Sequence, residues 1–166
     1  MQPEIGPTCQ SHLEFMKWAD EAFLAALSQV PPERIGHDLG SSFKSLFGTL
    51  NHVYLAELVW LKRLQGQPNA RMADLESPAD LTALGQAWPE LHQQWIDWSH
   101  SLAADDWYSQ LAFRTLQGAE SQLPVWQIAL HVVNHGSYHR GQVATMLRQS
   151  DIKPPGTDLL TFYRTR

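Results

Sequence analysis

Residues 123–149 read LPVWQIALHVVNHGSYHRGQVATMLRQ. Its apolar residues recur at intervals of mostly three and four, which predicts an amphipathic helix from about Pro124 to Gln149. Proline is tolerated in a first helical turn, and the following segment SDIKPPGTD breaks the helical pattern. The stretch therefore predicts one long helix near the end of the chain.

Two segments in the first part of the chain carry the same helical periodicity. The first helix is predicted over residues 11–27 and ends before a pair of prolines. PPERIGHDLG, which comes next, has the composition of a loop. The second helix is expected to be capped by Ser41 or Ser42 and to run through FKSLFGTLNHVYLAELVWLKRLQG, closing at Gly66.

A third helix and a small β element complete the pattern. Ser77 is the expected cap of this helix, with Pro78 in its first position and Asp80 as a capping acid. Pro89 lies inside the helix and is expected to kink or split it. In WYSQLAFRTLQG, the alternation up to Gly118 predicts a short strand or hairpin. The expected fold is all-α: a bundle of four long helices with a short β hairpin inserted before the last one.

Length and cysteine content narrow the class of protein. A chain of 166 residues is expected to form one domain, residues 1–166, which buries roughly two thirds of the surface of the unfolded chain. The single cysteine, Cys9, has no partner for an intrachain disulfide. The opening MQPEIGPTCQ has neither the basic start nor the apolar run of a signal peptide, so a cytoplasmic protein is expected.

Charge and hydropathy argue against two kinds of partner. Seventeen acidic residues against twelve basic ones give a net charge of −5, and the basic residues are scattered along the chain. A nucleic-acid-binding protein usually has a basic patch that neutralises phosphates, so nucleic acid is not an expected partner. No apolar run approaches the roughly 18 to 20 residues that cross a bilayer, so no membrane span is expected.

Three histidines of the last predicted helix are spaced four residues apart: His131, His135 and His139. At about 100° per residue, His139 falls within the apolar stripe, His135 on its flank and His131 outside it. A pair spaced i, i+4 can direct two imidazoles at one ion, whereas residues spaced i, i+8 lie about 12 Å apart along the axis. Spacing alone leaves two interpretations open: a metal-binding pair completed by a third ligand elsewhere, or two buried histidines without a metal.

Other polar residues near the predicted core also have two interpretations each. His52 lies in the second helix, where the small Thr49 and Ala56 leave room beside it. Glu57 lies near the apolar stripe of that helix, either as a carboxylate that supports a ligand or as a residue reaching the bundle edge. The seven tryptophans are interpreted as core and interface residues. Four further histidines are interpreted as solvated or hydrogen-bonded: His12, His37, His92 and His100. Three neighbours of the histidine pair either orient a ligand or make surface contacts: Asn134, Tyr138 and Arg140.

The sequence resembles the DinB/YfiT-like family of small metalloenzymes over nearly the whole chain. The resemblance lies in four segments: FMKWADEAFLAAL, LNHVYLAELVWL, residues 123–149 and the closing PPGTDLLTFYR. The resemblance implies an up-down-down-up four-helix bundle and, frequently, a homodimer. It also implies a divalent metal, most often zinc or nickel, held by one histidine of the second helix and two of an H-x3-H motif. Those residues here are His52, His135 and His139.

Three imidazole ligands would leave at least one position of an ion open to water or substrate, as in catalytic sites. The expected function is therefore a metal-dependent enzyme acting on a small molecule, with a transferase that uses a low-molecular-weight thiol ahead of a hydrolase. No side chain is assigned a catalytic role, because no nucleophile motif is present. The alternative from another class is a noncatalytic metal-binding stress-response protein, in which the ion stabilises the bundle.

A homodimer is expected on two further grounds. The chain holds more tryptophan and leucine than one small core requires, and Leu130 points away from the apolar stripe of the last helix. An apolar side chain left in water as part of a larger patch is a common mark of an interface.

Overall fold

The structure, a computed structural model, describes residues 4–115 and 117–166. Its described part contains four long helices, which we label α1 (Ile5–Leu27), α3 (Leu46–Leu64), α4 (Leu81–Ser101) and α5 (Val125–Gln149). Helix α5 packs against α1 and α3, and α4 packs against the same two helices. The chain therefore folds as the four-helix bundle that its sequence predicts, with α3 and α5 as direct neighbours.

Two short helices lie outside this bundle, and the sequence pattern predicted neither of them. Helix α2 (Pro32–Ile35) lies within the segment expected to be a loop, and α6 (Leu159–Arg164) lies near the end of the chain. Asp158 caps α6 by accepting a hydrogen bond from the Thr161 backbone amide at 2.9 Å. Helices this short hold too few residues for apolar periodicity to be recognised.

The hairpin before α5 is confirmed. Strand β1 (Gln110–Arg114) pairs antiparallel with β2 (Glu120–Pro124), and Leu111 lies opposite Leu123. The Phe113 ring contacts Trp60 of α3 edge to face, with ring centroids 4.9 Å apart. The hairpin therefore packs against the bundle through aromatic contacts near the C-terminal end of α3.

Helix α1 begins at Ile5, six residues before its predicted start. Gly6 and Pro7 argue against a helix in sequence terms, but proline is tolerated in a first turn. Gly6 is needed where it stands, because a Cβ there would lie 2.7 Å from Nε1 of Trp107. The close approach of this indole ring is a tertiary constraint that local sequence does not reveal.

The predicted caps of α3 and α4 are wrong by a few residues. Ser45, and neither Ser41 nor Ser42, caps α3 by accepting a hydrogen bond from the Gly48 amide at 3.0 Å. Ser41 instead accepts a backbone bond from Lys44 in the preceding tight turn, where Lys44 has a φ of 66°.

In α4 the cap is Asp80, whose carboxylate accepts from the Ala83 amide at 2.9 Å, so Ser77 lies outside the helix. Of the kink or split expected at Pro89, the split does not occur, since α4 is continuous through it. Proline removes the amide that would bond to the carbonyl of Gly85. Gly85 is exposed, so water can take the place of the missing donor.

The core divides into two apolar clusters. The larger fills the bundle around the fully buried Trp88 and Trp95, and the smaller gathers around Trp107 and Cys9. Leu130 packs against the smaller cluster, so its own chain covers part of its surface and it is a weaker argument for a dimer than its helical position suggested. Across residues 4–115 and 117–166, no helix is both long and apolar enough to cross a membrane.

Substitution of two helical glycines by alanine is expected to change stability in opposite directions. At Gly48 a Cβ would lie 2.3 Å from the Phe43 carbonyl oxygen, so Gly48→Ala should destabilise the fold by about 1–3 kcal/mol. At Gly85, in the second turn of α4, no atom of the described residues lies within 4 Å of that Cβ, so Gly85→Ala should stabilise by about 0.5–1 kcal/mol. Urea unfolding of both variants measures the difference, and a neutral Gly48→Ala would contradict the backbone packing described here.

Candidate metal site

Three histidine side chains meet where α3 packs against α5. His52 extends from α3, while His135 and His139 lie one turn apart on α5. The Nε2 atom of His135 lies 3.2 Å from Nε2 of His52 and 3.1 Å from Nε2 of His139. All three can offer ring nitrogens that lie within 4.8 Å of one another, which is the geometry of side chains arranged around a common point.

These contacts are not explained by hydrogen bonds among the rings alone. A ring nitrogen of neutral imidazole carries either a hydrogen or a lone pair, so Nε2 of His135 cannot donate to one neighbour and accept from the other. Two nitrogens on one zinc ion, with bonds of about 2.0–2.1 Å, lie roughly 3.3 Å apart in a tetrahedral site. The observed separations are close to that value, and the donor set fits a divalent ion.

Two neighbouring side chains fix the orientation of two of these rings, those of His139 and His52. Nδ1 of His139 lies 2.8 Å from Oε1 of Gln142, so the Nδ1 hydrogen is donated to the amide and the Nε2 lone pair faces the other histidines. The ring of Phe43 stacks on His52 with centroids 3.8 Å apart and planes 14° apart. Phe43 belongs to the tight turn that ends at the Ser45 cap, and its carbonyl is the group that approaches Gly48 so closely.

Burial keeps two of these imidazoles neutral at neutral pH. Loss of solvent lowers the pKa of His52 to about 4, with a further contribution from the neighbouring His139 charge. Burial also lowers the pKa of His135 to about 4, with additional repulsion from the surrounding histidines. Neutral imidazole is the form that binds metal, so His52 and His135 need lose no proton before coordination at pH 7.

His131 lies outside the converging set, in agreement with its position on the helical wheel. Its residue is exposed, and its ring packs edge to face on Trp60 with centroids 5.7 Å apart. The centroid distance from His131 to His135 is 6.0 Å, longer than any centroid distance within the converging three. One turn of separation along α5 is enough to remove it from the group.

The remaining histidines are held in simpler ways. Nδ1 of His12 contacts the Thr8 carbonyl at 2.8 Å, and His37 and His100 are exposed. His92 is fully buried, with Nε2 3.2 Å from Oδ2 of Asp20, so it is hydrogen-bonded and not solvated. These four residues therefore agree with their interpretation as solvated or hydrogen-bonded histidines.

Sequence reasoning missed three residues that matter around the site. Gln142 and Phe43 contact the rings of His139 and His52, yet a glutamine and a phenylalanine give no distinctive signal in a helix and a loop. Asp20 is fully buried in α1 and belongs to a second converging set with Glu57 and His92. The sequence does mark Asp20 as unusual, because this charged residue interrupts an apolar stripe formed by Leu13, Met16, Phe23 and Leu27.

Glu57 does not reach the edge of the bundle. It is fully buried, its Oε2 accepts a hydrogen bond from Nε1 of Trp88 at 2.7 Å, and the same oxygen lies 3.6 Å from Nε2 of His92. The interpretation that Glu57 reaches the bundle edge is therefore wrong. Glu57 belongs to the second converging set, with Asp20 and His92.

The chain is similar to known proteins over most of its length. The sequence model of the DinB family matches residues 5–166, a range that includes all three converging histidines. Protein DinB of Bacillus subtilis (strain 168) is 24% identical over 152 residues, covering 87% of each chain.

Alanine substitution should separate the converging histidines from their neighbour on α5. His52→Ala, His135→Ala and His139→Ala should each abolish stoichiometric binding of a divalent ion, because two imidazoles hold an ion much less tightly than three. His131→Ala should leave the stoichiometry largely unchanged. Elemental analysis of the four purified variants measures this, and loss of the ion in His131→Ala with retention in His139→Ala would contradict the site.

The stability of the metal-free protein should fall as the pH is lowered from about 6.5 towards 4. An unfolded chain takes up protons on histidine near pH 6.5, whereas His52 and His135 in the folded chain do so only near pH 4, so acid favours unfolding over this interval. Below about pH 4 both states are protonated at these residues and their effect levels off.

Urea unfolding in the presence of a chelator, repeated across this pH range, tests the expectation. The double variant His52→Gln/His135→Gln should show a weaker pH dependence than the original chain, while the exposed His100→Gln should match the original. Equal slopes for the double variant and the original chain would show that these two histidines titrate normally.

Proposed function

The chain belongs to the DinB family, and we propose that it is a divalent-metal-dependent enzyme acting on a small molecule. The observation that carries the proposal is the convergence of His52, His135 and His139 on one point from two helices. Structural zinc sites usually use four protein ligands, whereas catalytic sites use three and keep a position for water or substrate. A three-histidine donor set supports the second class.

Zinc or nickel is the proposed ion. Imidazole nitrogen suits zinc, copper, iron and nickel, whereas magnesium and calcium prefer oxygen ligands. An ion held there would supply Lewis-acid activation to a bound carbonyl, water or thiol. The chain's own contribution is to hold two of the three rings in place, through Gln142 on His139 and the Phe43 stack on His52.

The immediate surroundings offer a place for a substrate. Tyr138 is 66% exposed, and its ring stands edge to face on His139 with centroids 5.1 Å apart. Phe43 lies edge to face on the same imidazole with centroids 5.4 Å apart. We propose that these two aromatic rings form the walls against which an apolar part of the substrate packs.

The attacking group is proposed to come from outside the protein. Cys9 is fully buried in the cluster around Trp107, and burial raises the pKa of its thiol to about 11. A protonated, inaccessible thiol is a poor nucleophile. We therefore place transfer of a low-molecular-weight thiol first and hydrolysis by water second.

A noncatalytic metal-binding stress-response protein is the second candidate function. One observation favours it: the three histidines join α3 to α5, so an ion at this place would also cross-link two helices. The apolar core, however, fills the bundle without contribution from the site. An enzyme with this core should keep its helical circular dichroism spectrum after metal removal, whereas a protein that depends on the ion for its fold should unfold.

The remaining proposals concern the state of the whole protein. We place it in the cytoplasm as a single domain, with neither nucleic acid nor membrane as a partner. We also propose a homodimer, supported by the family resemblance and by two exposed apolar side chains on α6, Leu160 and Tyr163.

Turnover should depend on the site and not on the cysteine. In a screen of electrophiles with several cellular thiols, the active combination should require added metal, be lost in His139→Ala and persist in Cys9→Ser, because the buried Cys9 takes no part. Product formation measured by chromatography decides the outcome. Undiminished activity in protein verified to be metal-free would remove the metalloenzyme proposal.

Light scattering should return twice the chain mass of 18.8 kDa over a broad range of concentration. The expected interface includes exposed apolar side chains, so Leu160→Asp should weaken association, while Gln94→Asp on an exposed face of α4 serves as the charge-matched control. A monomer at every concentration would contradict the dimer.

A further inference from the structure

A second polar cluster lies inside the bundle and is built from all four long helices. α1 contributes Asp20, α3 contributes Glu57, α4 contributes His92 and α5 contributes Arg140, and none of these residues is more than 2% exposed. Charged side chains are rarely buried to this degree unless they are paired. The cluster therefore needs an account of what balances its charge.

The two acids and the histidine resemble a metal site in their donor types. Potential ligand atoms of Asp20, Glu57 and His92 lie within 4.8 Å of one another. Within the described residues, Oε1 of Glu57 is buried without a hydrogen-bond partner. Taken without the fourth residue, this arrangement would suggest a second ion.

Arg140 already supplies the positive charge. Its Nη1 donates to Oδ1 of Asp20 at 2.7 Å, while Oδ2 of the same carboxylate lies 3.2 Å from Nε2 of His92. Burial raises the pKa of Asp20, but the Arg140 charge and the bonds to its carboxylate outweigh burial and hold that pKa below its usual value. Burial and the nearby Asp20 charge raise the pKa of Glu57, which favours its neutral form.

Arg140 and the Asp20 carboxylate form a buried ion pair within the cluster, with 2.7 Å between Nη1 and Oδ1. A divalent ion added among these groups would lie against the positive charge of Arg140 in an interior that screens charges weakly. Arg140 thus occupies the electrostatic role that an ion would otherwise fill.

The guanidinium also lies across the turn that separates two histidines of the candidate site. Its Nη2 donates to Oγ of Ser137 at 2.8 Å, and a Cβ placed on Gly136 would lie 2.9 Å from Nη1. Gly136 and Ser137 are residues between His135 and His139 in the H-x3-H motif. One side chain therefore contacts both the ligand-bearing turn of α5 and the buried Asp20 of α1.

We infer that Arg140 is the resident cation of this cluster and a positioning residue for the three-histidine site. Its bonds to Asp20 and Ser137 fix the rotation and height of the α5 turn that presents His135 and His139 to His52. The inference rests on the proposed metal binding. According to this inference, the cluster holds no second ion. Asp20 affects metal affinity although it lies on α1, which carries none of the three converging histidines.

Cobalt(II) binding to the metal-free full chain tests the inference, because the visible absorption of cobalt reports the ligand geometry. The original chain should bind one Co²⁺ per chain. Asp20→Asn keeps the shape of the side chain but removes the charge that holds Arg140; it should keep the helical circular dichroism, raise the Co²⁺ dissociation constant about tenfold or more, and alter the visible spectrum.

Two further variants keep the test decisive. Ser137→Ala removes the second acceptor of Arg140, together with the bond that the Ser137 hydroxyl donates to the Val133 carbonyl, and it should fold and weaken Co²⁺ binding in the same direction by a smaller factor. Arg63→Met removes another buried arginine, whose guanidinium bonds to the carbonyls of Ala70 and Arg114 and lies 11 residues beyond His52, about 16 Å along α3. It should lower stability yet leave Co²⁺ affinity and spectrum unchanged.

The outcomes separate this inference from the proposed function. If the original chain binds no Co²⁺, metal binding is wrong and the positioning role falls with it. If it binds one ion and a folded Asp20→Asn binds with the original affinity and spectrum, only the positioning role is wrong. Should Asp20→Asn fail to fold, unchanged Co²⁺ affinity in Ser137→Ala would likewise contradict the positioning role. Two ions per chain, with the second lost in Asp20→Asn, would contradict the role of Arg140 as the cation.

Discussion

The packing of α3 against α5 is the constraint on which the candidate site depends. It brings Nε2 of His52 on α3 to 3.2 Å from Nε2 of His135 on α5. Nε2 of His139, on the adjacent turn of α5, lies 3.1 Å from the same atom of His135. Neither helix alone could provide this arrangement, since a single straight helix offers two ligands to one ion through i, i+4 spacing. The site exists because the bundle holds two helix faces in a fixed relative position.

Two different kinds of interaction hold the helices of the bundle together. Apolar side chains, with Trp88 and Trp95 at their centre, fill the bundle and stabilise it through burial. Burial is non-directional, however, and does not by itself set the rotation of a helix. The directional bonds of Asp20, His92 and Arg140 join α1, α4 and α5, so they can specify a rotation that apolar contacts leave loose.

Much of this arrangement followed from the sequence, and the exceptions have physical reasons. Periodicity predicted the four long helices, and the helical wheel placed His139 within the apolar stripe of α5 and His131 outside that stripe, because a helix maps spacing onto angle. The true start of α1 depended on the space that Gly6 leaves for Trp107, and the continuity of α4 through Pro89 depended on an exposed carbonyl. The start of α1 depends on a contact between residues distant in sequence, and the continuity of α4 depends on solvent exposure in the folded chain. Local sequence encodes neither of these.

The roles of the residues around the histidines were also hidden for this reason. A gap in the apolar stripe of α1 marked Asp20 as unusual, but only the folded chain shows that Arg140, 120 residues later, is its partner. Gln142 and Phe43 carry no mark in the sequence, because their effect comes from one ring orientation each. The chemistry-bearing histidines could be proposed from spacing and resemblance, whereas the side chains that orient them required the packing.

We propose that one divalent ion lies among His52, His135 and His139. A crystal structure of the metal-loaded protein, with anomalous scattering recorded on both sides of the absorption edge of the metal, tests it most directly. The account predicts a single anomalous peak per chain at about 2.0–2.1 Å from one nitrogen of each of the three imidazoles, with the remaining coordination positions filled by water or small ligands. A peak located instead among Asp20, Glu57 and His92, or one bonded to fewer than two of the three predicted histidines, would contradict it.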